Sequence, residues 1–218
     1  GDKVSVSACQ GCQLPPQQYG PWSWTIGGGS TGAKQLTIDD VRLFAKKLSP
    51  IDVRTLFARP ALQFDFEEAS PASSYVDSAG SSARTWRSDS MCPGRGEGTK
   101  GRGLDLKRLL VREPDLYIHQ YVKVTSAPDL SEGFSISLWL KPSAGGSYPQ
   151  GILGMYQDSV LTDTTGPTAG GRKTAYPTLL LTNEKDLRLG FGTGTNWWKH
   201  DFTGVLVPGT WTHVVVTY

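Results

Sequence analysis

The sequence predicts an all-β protein, built as a two-sheet antiparallel sandwich with one short helix. Three observations carry that expectation. Short runs of β-branched and aromatic residues alternate apolar with polar positions. Turn-forming clusters bound each run, and the 218 residues include 26 glycines and 14 prolines to build those turns. The chain is long enough for one sizeable core. Its formal net charge of +2 gives no global field that would draw nucleic acid. No apolar run reaches the length of a helical membrane span.

Taken in order, KVSVSA (3–8) alternates as a strand, and PWSWTIGGG (21–29) reads as a strand entering a glycine turn. LTIDDVRLFAKKLSPIDVRTLF (36–57) admits two readings, because Val41, Phe44 and Leu48 also fit a helical stripe. Its later part is definite: Ser49 as N-cap, Pro50 at the first helical position and Asp52 near the start predict a short helix. Pro60 separates that helix from a strand around residues 62–66. The stretches 70–90 and 92–103 are rich in Ser, Gly and Arg and read as surface loops, and 157–177 reads as another.

The clearest strands lie in the second half. YIHQYVKV (117–124) is one extended candidate. In FSISLWLKP, Phe134, Ile136, Leu138 and Leu140 alternate with Ser135, Ser137, Trp139 and Lys141, giving one apolar face. TLLLT (178–182) and LRLGF (187–191) flank NEKD, a loop of hairpin length. GVLVPGTW turns at Pro208-Gly209 and leads into WTHVVVTY (211–218). That last run is a strand with no turn after it, and a strand lacking a partner leaves a row of backbone donors and acceptors to be satisfied.

The order FDF…VDSAG, GRGLDL, YVKV, FSISLWLKP, GILGMY, LRLGFGTG, GTWTHVVVTY resembles the laminin-G-like, or concanavalin A-like, jelly roll. Such domains run from a "slWvkp" strand to a "tWhhvavtyd" strand and then close with further strands and a short helix. Here the segments similar to those closing parts come first, as KVSVSA, PWSWTIGGG and IDDVRLFAKKLSPIDV. The resemblance implies closing strands and helix in 1–60, and initial and central strands in 61–218, forming one composite domain. A circular permutant, a piece of a tandem array and half-domains completed by neighbouring chains all fit that order; the closed single domain is the expectation, with residues 3–8 beside 211–218. The resemblance also implies an extracellular or cell-surface setting, and GDKVSVSACQ is neither a signal nor a transit peptide, so that any targeting segment would lie outside this chain.

Chemistry is thinly represented. The glucanases of this fold carry Glu-x-Asp-x-(x)-Glu on one strand, and Asp65, Glu67 and Glu68 do not reproduce it; they read as a solvated strand end. No GxSxG elbow is recognised, since the string GGSTG (28–32) falls in the glycine turn after PWSWTI; HExxH does not occur, and GEGTKGRG lacks the Gly-Lys-Ser/Thr ending of a phosphate loop. The expectation is therefore no enzyme. Cys9 and Cys12 are the candidate disulfide, with pairing of either to Cys92 left open; a zinc site would need all three and one of the three histidines.

Binding is the better reading. TGTNWWKHDF sets Trp197, Trp198, Lys199, His200 and Asp201 together, and on a loop an indole there stacks on a sugar ring or anchors a protein partner. Packing of at least one of the two indoles into the core is the simpler account, since adjacent strand residues face opposite ways. No cofactor is certain. The family admits Ca2+ at the sandwich rim, and Asp158 and Asp163 lie in a suitable loop without matching a ligand pattern. Arg95, Lys100, Arg102, Lys107, Arg108 and Arg112 read as a solvated charge run. The expected function is recognition or adhesion, binding glycan or protein through loops at the sandwich rim. The alternative is a structural building block whose partners are neighbouring domains or copies of the same protein.

Overall fold

A computed structural model describes residues 22–27, 36–55, 59–68, 75–79, 85–87, 94–106, 108–112, 116–119, 121–124, 128, 130, 133–145, 150–157, 176–192 and 197–218; for some of these, including 22–25, 108–112 and 197–198, it describes the backbone alone. Among the described residues the secondary structure is almost entirely β, in two main antiparallel sheets with one short helix. One sheet has seven strands. In spatial order these are β14 (Trp197–Phe202), β13 (Leu187–Gly192), β12 (Tyr176–Leu181), β11 (Gln150–Gln157), β1 (Trp22–Gly27), β9 (Tyr121–Val124) and β4 (Thr85–Arg87). The other runs β15 (Thr212–Thr217), β10 (Ser135–Pro142), β2 (Leu36–Phe44), β6 (Arg102–Leu106) and β5 (Gly94–Glu97), with β3 (Leu62–Phe64) also on β2. A separate ribbon joins β7 (Arg108–Arg112) to β8 (Leu116–His119).

The two sheets bury their facing side chains against each other. Ile136, Leu138 and Leu140 of β10 and Leu36, Ile38, Val41 and Leu43 of β2 meet Ile26, Val122, Leu179, Leu181 and Leu189 of the seven-stranded sheet in one cluster. The strands nearest the N-terminus sit inside the sheets rather than at their edges. Trp24 lies opposite Met155 on one side and Val124 on the other, and Ile38 lies between Leu140 and Leu104.

The ambiguous stretch 36–57 divides cleanly into strand and helix. Leu36–Phe44 is strand β2, interrupted where its pairing with β10 shifts between Ser137 and Trp139. Asp40 there takes φ 45°, and its carboxylate accepts two 2.8 Å bonds from the Arg42 guanidinium. The extra residue moves the apolar face from Leu36 and Ile38 to Val41 and Leu43. The helix α1 is Pro50–Thr55. Ser49 and Asp52 cap it reciprocally, with Asp52 N–H donating to Ser49 Oγ at 3.2 Å and Ser49 N–H donating to Asp52 Oδ2 at 3.1 Å.

Four other expectations need correction. Residues 92–103 are not simply a loop: they contain the β5 strand and the start of β6, and in the turn between them a Cβ on Gly98 would stand 2.7 Å from the Arg102 backbone. YIHQYVKV is two strands, β8 and β9, belonging to different sheets. The strand expected at 62–66 covers only Leu62–Phe64, and the 70–90 stretch includes the short β4. The NEKD hairpin is found, with Leu181 opposite Leu187.

At the end of the chain, β15 is anchored by its last residue. Tyr218 N–H donates to Phe134 O at 2.9 Å, and the two rings stack with centroids 5.4 Å apart. Gly133 takes φ 110°, and a Cβ on it would stand 2.8 Å from Tyr218 O, so glycine is required there. Burial holds the Tyr218 hydroxyl pKa above its ordinary value. Residues 1–21, with the expected strand 3–8, lie outside the described residues.

Candidate functional site

Three turns meet at one end of the sandwich and form a single rim. The first follows β10 at Pro142–Gly145, the second is 182–186 between β12 and β13, and the third is 203–211 between β14 and β15. Each needs its own turn chemistry. In the second, Asn183 Oδ1 accepts the N–H groups of Lys185 (2.8 Å) and Asp186 (2.9 Å), as an asparagine does when it closes a tight turn on itself. In the third, Thr210 N–H donates to Val207 O at 3.1 Å, and Gly209 supplies the required φ of 77°.

The turns are tied to one another. Leu206 N–H donates to Lys185 O at 3.0 Å, Gly204 N–H to Asp186 Oδ1 at 2.7 Å, Gly209 N–H to Pro142 O at 2.7 Å, and Gly145 N–H to the Glu184 carboxylate. Leu206 plugs the core beneath them at 2% exposure, while the neighbouring Val207 stands 60% exposed at the tip. At the end of the same turn, Lys141 Nζ lies 5.8 Å from the centre of the half-buried Trp211 ring. A preformed lip with an apolar tip, an indole and a cation can contact a ligand without ordering a loop first.

The same face of the six-stranded sheet continues inward from this rim. Trp139 and His213, opposite each other on β10 and β15, stack at 4.8 Å, and His213 Nε2 is 2.9 Å from Ser137 Oγ. The sequence carried a signal for this group. Trp139 falls on the polar phase of FSISLWLKP, and Trp211 and His213 fall on the matching phase of WTHVVVTY.

The expected binding residues are not on a loop. Trp197, Trp198, Lys199, His200 and Asp201 follow one another along β14, the edge of the seven-stranded sheet, so alternation divides them between two faces. Lys199 and Asp201 are exposed, whereas His200 packs edge-on against Phe202, which touches the core. Asp201 is engaged by Arg188 across the strand pair, its Oδ2 accepting from Nη2 at 2.9 Å. That bond holds the Asp201 carboxyl below, and the Arg188 guanidinium above, their ordinary pKa values. The indoles of Trp197 and Trp198 lie outside the described side chains, as do Cys9, Cys12, Asp158 and Asp163 altogether.

The remaining candidates have structural partners. Glu67 accepts Arg102 N–H at 3.1 Å, and Glu68 pairs with Arg95 at 3.2 Å, so these carboxylates fasten the β5–β6 hairpin. Arg95, expected in a solvated run, is instead largely buried, with its guanidinium 4.6 Å from the Tyr75 ring centre. Among the described residues no three His, Cys, Asp or Glu side chains gather in a way that could hold a metal ion. No described helix is long and apolar enough to cross a membrane.

Residues 117–218 match a laminin-G-type family model described as the concanavalin A-like lectin/glucanases superfamily. The matched part is just under half of the chain and runs from β8 through β15, including the whole rim. No curated protein and no solved structure matches the chain.

Proposed function

From a chain whose residues 117–218 carry the concanavalin A-like pattern, we propose a non-catalytic recognition or adhesion module of the extracellular space or cell surface, binding a glycan or a protein at the sandwich rim. The family supports the coarser statement, a carbohydrate- or protein-binding module. One observation carries the finer one. The three rim turns are locked together by hydrogen bonds, and the third carries exposed Val207 and ends on Trp211, whose ring lies 5.8 Å from Lys141 Nζ. An apolar tip next to an indole and a flexible cation suits the C–H face and hydroxyls of a sugar, or the hot spot of a protein partner. On β14, strand alternation gives position 197 the same face as exposed Lys199 and Asp201, the outer face of the seven-stranded sheet.

The test is a glycan array, with a cell-surface binding assay alongside it, probed with the soluble chain and its Trp211→Ala, Val207→Asp and Trp197→Ala variants. The expected result is specific binding that Trp211→Ala or Val207→Asp weakens at least about tenfold, in line with the loss of a buried anchor. Specific binding unaltered by all three variants would move the site elsewhere. Hydrolysis of the bound glycan during the assay would overturn the non-catalytic reading.

A further inference from the structure

Residues 183–186 read NEKD, four polar side chains in a hairpin turn, where each would ordinarily face water. Three of them are used otherwise. Asn183 Oδ1 closes the turn on itself, and Asn183 Nδ2 donates to the Asp186 carboxylate. The other oxygen of that carboxylate, Oδ1, accepts Gly204 N–H of the third rim turn at 2.7 Å. The Glu184 carboxylate accepts Gly145 N–H of the first rim turn. Both acidic residues are half-buried although they stand in a turn.

The two recipients have matching features. Gly145 and Gly204 take φ 58° and 68°, and a Cβ on Gly204 would meet nothing within 4 Å, so glycine serves there for its left-handed backbone and not for space. Neither glycine belongs to a strand, so no ladder satisfies its N–H. An N–H bound to a carboxylate makes a shorter and stronger bond than one bound to a neutral acceptor.

These ties carry the candidate anchors without containing them. Lys141 precedes Gly145 at the entry to the first turn, and Val207 and Trp211 follow Gly204 in the third. The backbone bonds from Leu206 to Lys185 and from Gly209 to Pro142 do not depend on either carboxylate. Losing a carboxylate therefore loosens a turn without releasing it, and a ligand would have to order that turn as it bound.

We propose that Glu184 and Asp186 are positioning residues for the ligand of the rim. They set its affinity by fixing the turns that present Lys141, Val207 and Trp211, and not by contact with the ligand. This rests on the reading of the rim as the binding surface.

The test uses the whole soluble chain, isotope-labelled, and its Glu184→Ala, Asp186→Ala and Glu184→Gln variants. Backbone amide exchange reads the ties with no ligand present. Glu184→Ala should speed exchange at Gly145, and Asp186→Ala at Gly204, by at least about tenfold, as expected when the bond protecting each is lost. Binding is read on the printed glycan array and in the cell-surface assay, where each alanine variant should bind roughly fivefold more weakly than the native chain. Glu184→Gln keeps an acceptor oxygen for Gly145 N–H and should restore both readouts, which loss of the charge by itself would not allow. Should an alanine variant fail to fold, the native chain still reads the ties, through slow exchange at Gly145 and Gly204. Fast exchange at those glycines in the native chain, exchange unchanged in the alanine variants, or a Glu184→Gln variant that behaves as Glu184→Ala would overturn the proposal. Native binding that Trp211→Ala abolishes and both alanine variants leave intact would sink it alone. Native binding absent from array and cells alike would sink the rim reading and this one together.

Discussion

Asp201 shows how far a single side chain can be read from sequence. In TGTNWWKHDF it stood among candidate ligand contacts, and only the pairing of β13 with β14 reveals Arg188 directly opposite. Cross-strand partners are set by register, which a lone sequence does not state. The pair also fixes a pH response. Because the Arg188 hydrogen bond lowers the folded-state pKa of Asp201, its stabilisation is present above the unfolded value near 4 and fades as pH falls through the lower folded value. Melting temperatures of the native chain and Asp201→Asn, followed from pH 6 to pH 2, should differ most at neutral pH and converge in acid. With the Asp201 side chain 40% exposed, the gap is small and shrinks further in salt. Ser49 and Asp52 make the contrast: both partners of that cap lie within one turn of sequence, so the helix start was legible directly.

At the level of elements, legibility followed the strength of alternation. β10 and β13 announce themselves because an apolar residue recurs at every second position, and β12 and β15 because a short apolar or β-branched run is bounded by turn signals. β5 and β6 did not, since glycines occupy positions where a strand normally shows side chains. What makes them a hairpin lies on another strand. The buried Asp39 carboxylate, 3% exposed, accepts both the N–H and the hydroxyl of Thr99 at 2.8 Å, and so clamps the 98–101 turn onto β2. Asp39→Ala strands those donors and should cost about 2–3 kcal/mol, typical of hydrogen bonds to a charged group. Urea unfolding measures the loss, and trypsin should cut at Lys100 or Arg102 many times faster in the variant than in the native chain.

For the molecule as a whole, fold class was legible and the placing of the binding surface was not. The sandwich follows from periodicity, but the rim arises where three turns distant in sequence meet, and no local pattern predicts that Leu206 will reach Lys185 or Gly209 reach Pro142. The position of β1 and β2 in the interior of the two sheets leads to a clear expectation: removing residues 1–44 takes a central strand from each sheet, and the remainder should lack a cooperative thermal transition by calorimetry and show exposed apolar surface by dye binding. The same arrangement bears on how the chain is made. A ribosome releases β1 and β2 before all their partners: β3, β6 and β9 follow and can pair with one edge of each, yet β10 and β11, which pair with the other edge, emerge only later. Until then each of the two strands has one ladder edge unpaired, and the yield in any expression host should depend on how well those edges are shielded during that wait.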